Sequence, residues 1–170
     1  MTVKQIILLS AMLFIAGTAS LAGQSLDPVA IVNSIYKADP SDSTGMAFGL
    51  ETNERKKYFS KSTVALWNKA DKKANPEGED VGAIDFDLST NTQGADVKSH
   101  SIVSSKIDGK LANVVVKLEL DNWNRNNPDD NIIRYDFVLE DGRWMIDNMS
   151  STIDGKGWSL KKLIAFNLKK

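Results

Sequence analysis

Residues 132–149 read Ile-Ile-Arg-Tyr-Asp-Phe-Val-Leu-Glu-Asp-Gly-Arg-Trp-Met-Ile-Asp-Asn-Met, and this stretch decides the fold. Two runs rich in β-branched and aromatic residues flank Glu140-Asp141-Gly142-Arg143. An Asp-Gly pair between such runs is a strong short-range signal of a β-hairpin. We therefore predict strands over Ile132–Leu139 and Trp144–Met149, joined by a tight turn.

A second hairpin is predicted immediately upstream. Apolar residues occupy every second position from Ala112 to Leu120, which is typical of a half-buried antiparallel strand. Before it, Ile102, Val103 and Ile107 indicate another strand, and Asp108-Gly109 supplies the turn between the two. The two hairpins together predict a meander of about four strands.

Helical signals dominate the chain before the strands. Asp27-Pro28 places an N-cap residue before a proline at the first helical position. A second helical stretch begins near Glu51, breaks at Ser60 to Ser62, and continues as an amphipathic segment that contains Trp67. After the strands, we expect a Ser/Gly loop through Gly157 and a short helix from Trp158 to Phe166, capped by Ser159 or a neighbour.

These elements predict an α+β domain in which N-terminal helices pack on a curved antiparallel sheet of about four strands, followed by a short C-terminal helix. Strands follow one another without alternating helices, which excludes a parallel βαβ sheet. We find no internal repeat or linker, so residues 23–170 are expected to form one domain.

The N-terminus predicts export. Lys4 precedes an apolar run from Ile6 to Ala16 and small residues that end in Ser20-Leu21-Ala22, the order of a signal peptide over residues 1–22. The alternative is a membrane anchor, but the run is shorter than the ~20 residues that span a bilayer. Because no cysteine follows it, we expect a soluble periplasmic or secreted protein without a lipid anchor.

Composition narrows the function. The chain has 21 basic and 22 acidic side chains, a balance that argues against binding nucleic acid or a membrane surface after signal cleavage. It has no cysteine, which excludes disulfides, thiolate metal sites and a cysteine nucleophile. We find no Gly-rich phosphate loop and no serine nucleophile elbow.

Several motifs resemble one bacterial family. They are Asp85-Phe86-Asp87-Leu88, Gln93-Gly94-Ala95-Asp96, the run from Tyr135 to Asp147, and Trp158-Ser159-Leu160. Over about residues 28–165 the chain resembles the family known as domain of unknown function 3828. It departs from the family where Asp-Pro is Asp87-Leu88 and where Gln-Asp is spread from Gln93 to Asp96.

The resemblance implies a branch of the superfamily named for nuclear transport factor 2. That superfamily has a cone of helices over a strongly bent sheet, and it often dimerises through the sheet. Some of its members use aspartate acid/base catalysis, and the members of this family are mostly exported proteins or lipoproteins. The resemblance therefore implies a cone-shaped pocket and a periplasmic location. It also leaves open a homodimer.

Six residues are our candidates for a pocket or a partner contact. Carboxylates in a pocket suit acid/base work, aromatic rings suit stacking, and Trp123 lies in an Asn-rich loop of the kind that contacts carbohydrate or protein. Each also has an ordinary structural explanation, because aspartates cap turns and large aromatics fill cores. The candidates are Asp87, Asp96, Trp123, Tyr135, Asp147 and Trp158.

Metal and histidine chemistry have weaker signals. Asp85, Asp87, Ser89, Asn91 and Asp96 have the oxygen spacing of a calcium loop, but Thr90 stands where that loop requires glycine. The lone His100 has no partner at metal-ligand spacing, so we expect a surface or edge histidine. We therefore predict no metal, no cofactor and no assigned catalytic residue.

The resulting hypothesis is an exported binding or interaction module without enzymatic activity, acting on an unknown small ligand or periplasmic protein. Two alternatives stay open. One is a hydrolase or isomerase that uses pocket aspartates, and the other is an immunity protein that blocks a periplasmic toxin.

Overall fold

The computed structural model describes residues 27–37, 52–74, 84, 86–92, 97–121 and 126–169. The fold is built on the predicted hairpin: at its turn Asp141 and Gly142 have φ of 50° and 76°. Two successive positive φ values are typical of a type I′ turn, whose twist matches that of the flanking strands. The hairpin therefore forms for the reason that its sequence indicates.

The described sheet has five antiparallel strands in sequence order, each beside its neighbour in the chain. The predicted count of about four was wrong, because a further short strand follows the second hairpin. The strands are β1 (Val97–Asp108), β2 (Leu111–Leu120), β3 (Ile132–Glu140), β4 (Arg143–Ile153) and β5 (Lys156–Ser159).

The fifth strand occupies the segment predicted as a Ser/Gly loop. Asp154 and Gly155 form a second turn with positive φ at both residues, 50° and 74°, and return the chain along β4. Trp158 therefore lies in β5 rather than in the C-terminal helix, which is a correction. Serine and glycine hid this strand, because their low β propensity masked a pairing that the preceding strand imposes.

Irregularities in the pairing bend the sheet. On β4 the partners of Phe137 and Asp136 are Ile146 and Asn148, so Asp147 is an extra, bulged residue. On β1 the pairing steps from Ile102 to Ser104 and leaves Val103 unpaired. Bulges bend the strand that carries them and redirect its side chains.

Three described α-helices precede the strands and one follows them, and a short 3₁₀ helix, Pro128–Asn131, lies between β2 and β3. The α+β class is confirmed, although the helices are not confined to the N-terminal part. The α-helices are α1 (Pro28–Tyr36), α2 (Thr52–Tyr58), α3 (Lys61–Ala74) and α4 (Leu160–Asn167). The Asp27 carboxylate accepts the Ala30 N–H at 2.8 Å and caps α1, as its position predicts. Ser159 makes no such bond at the start of α4, where Asn148 Oδ1 accepts the Lys161 N–H at 3.2 Å instead.

The predicted break before α3 has a tertiary cause. Phe59 pairs with Ile146 as a one-residue parallel bridge, and the Ser60 N–H donates to the Ile146 carbonyl at 2.8 Å. The chain thus leaves α2, joins the edge of β4 for one residue, and enters α3. This bridge fixes the start of α3 against the sheet.

The core lies between the helices and one face of the sheet. The alternation read from β2 is confirmed, since Val114 and Val116 are fully buried and Ala112 and Leu118 nearly so. Burial of each large apolar side chain contributes about 1.5–3 kcal/mol. Fully buried side chains of β3 and β4 lie beside them on the same sheet face, namely Ile133, Tyr135, Ile146 and Met149. The helices contribute the fully buried Val32, Trp67, Leu160 and Ile164.

The predicted signal peptide, residues 1–22, lies outside the described residues. Within the described ranges, no helix has the length and apolarity needed to cross a bilayer.

Candidate functional site

The structure describes four of the six candidate residues. Asp96 and Trp123 lie outside the described residues, as does Asp85 of the possible calcium loop. Asp87, Tyr135 and Trp158 come together around the segment of residues 86–92, whereas Asp147 lies elsewhere, between the starts of α3 and α4.

Asp87 caps a turn in this segment. One of its carboxylate oxygens, Oδ1, accepts the Ser89 N–H and the Ser89 hydroxyl, each at 2.7 Å, and the Thr90 N–H at 3.3 Å. The Asp87 backbone also pairs with Thr92 as an isolated bridge. This is the local satisfaction of backbone donors that aspartates commonly provide in turns.

Tyr135 connects the sheet to the same segment through a buried chain of hydroxyls. Tyr36 donates to the Ser89 carbonyl at 2.8 Å, so the 2.8 Å contact between the Tyr36 and Tyr135 hydroxyls has Tyr135 as donor. Burial raises the pKa of both phenols, and the nearby Asp87 carboxylate raises each further. Both hydroxyls therefore stay protonated at neutral pH, and their hydrogen bonds link the sheet to residues 86–92.

Trp158 reaches the segment through Asn91. Its indole N–H donates to Asn91 Oδ1 at 2.7 Å, and the Asn91 amide donates to the Thr152 carbonyl at 2.6 Å and to the Asp130 carbonyl at 3.1 Å. Asn91 is buried and has φ of 59°, a left-handed conformation that asparagine tolerates better than most residues. The Asn91 side chain thus has a structural role, since its oxygen accepts from Trp158 and its amide donates to backbone carbonyls.

Asp147 is held by a cation and two hydroxyls. Its carboxylate accepts the Lys161 ammonium at 2.6 Å and the hydroxyls of Ser60 and Ser62 at 2.8 and 3.1 Å. Burial raises the pKa of Asp147, but these hydrogen bonds outweigh it and leave the pKa below its ordinary value. A general acid requires a raised pKa, so the environment of Asp147 suits a structural anion.

The two candidate carboxylates for acid/base work therefore have separate surroundings. Asp87 bonds to its own turn near the buried tyrosines, and Asp147 bonds to α3 and α4. His100 belongs to neither group: its ring stacks on Tyr36 with centroids 4.9 Å apart, and its Nε2 lies 2.9 Å from Asn33 Oδ1. In the described ranges no three His, Cys, Asp or Glu residues cluster as a metal site would require.

A surface cleft that the sequence did not predict lies between α2, α3 and the turn of the β3–β4 hairpin. Its volume is about 440 Å³, within the range of small-molecule sites. Apolar side chains form its floor, where Phe59 is 1% and Met145 8% exposed. The lining residues are Lys56, Phe59, Lys61, Val64, Ala65, Asn68, Glu140, Asp141, Arg143 and Met145.

Charged groups surround this α3–hairpin cleft, and its two carboxylates are occupied. Lys61 Nζ donates to Asp141 at 2.5 Å, and this pairing raises the pKa of Lys61 and lowers that of Asp141. Glu140 accepts the Lys61 backbone N–H at 3.1 Å, at the start of α3. Lys56 and Arg143 are exposed and have no side-chain partner in the described part of the chain.

Sequence reasoning missed the cleft because its lining comes from three distant segments. Only Arg143 carried a signal, as a cation that follows the Asp141-Gly142 turn and must project from the hairpin. The approach of Lys56 to the same turn depends on how Phe59 joins β4.

Comparison with known proteins found no matching family model, no matching curated protein and no matching solved structure.

Proposed function

We propose that this protein is an exported, non-enzymatic binding module that takes a small ligand in the α3–hairpin cleft. The observation that carries the proposal is the cleft itself. A concave site with an apolar floor and a few charged groups at its rim has the anatomy of a ligand pocket.

The state of the candidate carboxylates supports the absence of enzymatic activity. Asp87 is held by the donors of its own turn, and Asp147 by Lys161, Ser60 and Ser62. A general acid needs a raised pKa, whereas the hydrogen bonds of Asp147 lower its pKa. Acid/base catalysis would require these hydrogen bonds to be exchanged first.

We also propose that the chain belongs to the nuclear transport factor 2-like superfamily, as a relative of the family of unknown function named above. The five-stranded antiparallel meander and the bulges on β1 and β4 are compatible with a bent sheet under helices. The motif from Tyr135 to Asp147 contributes most of β3, the turn, and the first part of β4 with its bulge. A homodimer formed through the sheet belongs to the same proposal.

Ligand binding is tested by filling the cleft. Ala65 is an exposed residue of α3 in the cleft lining, so Ala65→Trp occupies the cleft without disturbing the core. Lys72→Trp is the matched control, because Lys72 is exposed on the same helix and lies outside the lining. Mass spectrometry of small molecules retained on purification should find a compound with wild type and with Lys72→Trp, and not with Ala65→Trp.

The outcome that contradicts the proposal is equal retention by both variants, or no retention and no binding of any apolar probe. Export is tested separately by N-terminal sequencing of the protein recovered from periplasm. A mature chain that begins at Gly23 supports the predicted cleavage after Ala22, and a chain that keeps residues 1–22 contradicts it.

A further inference from the structure

We infer that the ligand of the α3–hairpin cleft is a small organic anion with an apolar body. Its acidic group would bind Lys56 and Arg143, and its apolar body would lie over Phe59, Val64 and Met145. This inference rests on the proposed function, because it names the chemical class that the same cleft would bind.

The charges of the cleft favour an anion. Three cations and two carboxylates line it, and the partners of the carboxylates come from within the protein. Asp141 is paired with Lys61, and Glu140 with the first N–H of α3. Glu140 keeps its charge, because a backbone N–H does not neutralise a carboxylate, so the cleft carries one more positive than negative charge. Among the described residues, Lys56 and Arg143 form no ion pair.

The geometry of the guanidinium adds specificity. Arg143 is the first residue of β4 and lies directly after the type I′ turn, so the rigid hairpin fixes its backbone. An arginine presents a planar fork of donors that matches a carboxylate, sulfonate or phosphate in two parallel hydrogen bonds. Lys56 on α2 adds a second cation, a point charge, to the same lining.

The floor supplies the other half of the ligand's chemistry. Val64 and Ala65 of α3 supply most of the accessible apolar surface of the cleft, and the nearly buried Phe59 and Met145 lie beneath it. A fully hydrophilic anion would leave this surface in contact with water. An amphipathic anion removes it from water, and methionine adapts to apolar bodies of different shape.

The experiment compares three probes of equal chain length: decanoate, decanol and decyltrimethylammonium, each below its critical micelle concentration. Isothermal titration calorimetry should give the tightest binding for decanoate and the weakest for the ammonium compound. Decanoate affinity should fall as salt increases because the charges are exposed, and decanol affinity should not.

Charge variants locate the acidic group. Arg143→Gln and Lys56→Gln should each weaken decanoate binding about threefold, as expected for an exposed charge pair, and leave decanol binding unchanged. Lys72→Gln is the control, because it removes a cation of α3 that does not line the cleft. Ala65→Trp should abolish binding of decanoate and decanol alike.

The outcomes separate this inference from the proposed function. If decanoate and decanol bind equally and only Ala65→Trp matters, the cleft binds ligands but the anion inference is wrong. If decanoate binds more tightly but both charge variants bind like wild type, the acidic group lies elsewhere and the inference is also wrong. If none of the three probes binds, the proposed function fails, and this inference fails with it.

Discussion

Asn91 offers the sharpest test of the network that joins the loop before β1 to β4 and β5. Its buried side chain accepts the Trp158 indole N–H and donates to the carbonyls of Thr152 and Asp130. We predict that Asn91→Ala destabilises the protein strongly without affecting the α3–hairpin cleft.

The magnitude follows from the contacts. Alanine loses the hydrogen bonds to Trp158, Thr152 and Asp130, each with a net value of about 1 kcal/mol, and a longer contact with the Ser151 hydroxyl at 3.4 Å. The Trp158 N–H and the Thr152 carbonyl, both partly buried, lose these partners. Alanine also tolerates the left-handed conformation at φ of 59° less well than asparagine, which adds up to about 1 kcal/mol. The expected loss in the free energy of unfolding is about 3–5 kcal/mol.

Two further variants separate these contributions. Asn91→Gly loses the same hydrogen bonds but adopts a positive φ without strain, so we expect it to be about 1 kcal/mol more stable than Asn91→Ala. Asn91→Asp keeps an acceptor for Trp158 but places a carboxylate against two carbonyl oxygens. It should therefore be at least as unstable as Asn91→Ala at neutral pH.

The assay is urea-induced unfolding followed by tryptophan fluorescence, with circular dichroism as a second probe. The midpoints should fall in the order wild type, Asn91→Gly, Asn91→Ala, with little change in the slope. If Asn91→Ala unfolds within about 0.5 kcal/mol of wild type, the range of an ordinary surface substitution, the network described here does not stabilise the protein.

Three more predictions concern the buried tyrosines, the Asp147 ion pair and the turn glycines. Tyr36→Phe should lower the free energy of unfolding by about 2 kcal/mol and Tyr135→Phe by about 1 kcal/mol. Only Tyr36→Phe leaves the Ser89 carbonyl without its hydroxyl donor. The reverse order in urea midpoints would contradict the direction of the hydroxyl chain. Asp147→Asn should cost about 1 kcal/mol at neutral pH, since the carboxylate is partly exposed. Because the folded pKa of Asp147 is lowered, its contribution is present above the unfolded pKa of about 3.9 and is lost as pH falls through the folded value. The difference between Asp147→Asn and wild type should therefore shrink below about pH 4, and a constant difference in pH-dependent unfolding would contradict the ion pair. Gly155→Ala should lower the thermal unfolding midpoint more than Gly142→Ala. Both glycines have positive φ, but only a Cβ at Gly155 would meet another side chain, that of Asn127 at 3.0 Å. Equal losses would show that this contact relaxes freely.

The sequence alone determined the local elements. Alternation from Ala112 to Leu120 determined one strand, and the Asp141-Gly142 turn determined one hairpin, because side-chain period and turn conformation are properties of a few adjacent residues. Asp27-Pro28 likewise fixed the start of α1, and the α+β class followed from the order of the elements. The sequence did not predict β5, because its composition resembles a loop and its pairing depends on the neighbouring β4.

The tertiary structure alone decided which polar groups meet. The sequence marked Asp87, Tyr135, Asp147 and Trp158 as candidates. It could not predict that Asp87, Tyr135 and Trp158 meet around residues 86–92, or that Asp147 lies at the starts of α3 and α4. For the α3–hairpin cleft it indicated one lining residue, Arg143, and not the approach of α2 and α3 to the hairpin turn. A bulge redirects Asp147, and a one-residue bridge at Phe59 places α2 beside the hairpin turn. Both features arise from pairing between segments far apart in the chain, and a pattern of adjacent residues carries no information about such pairing.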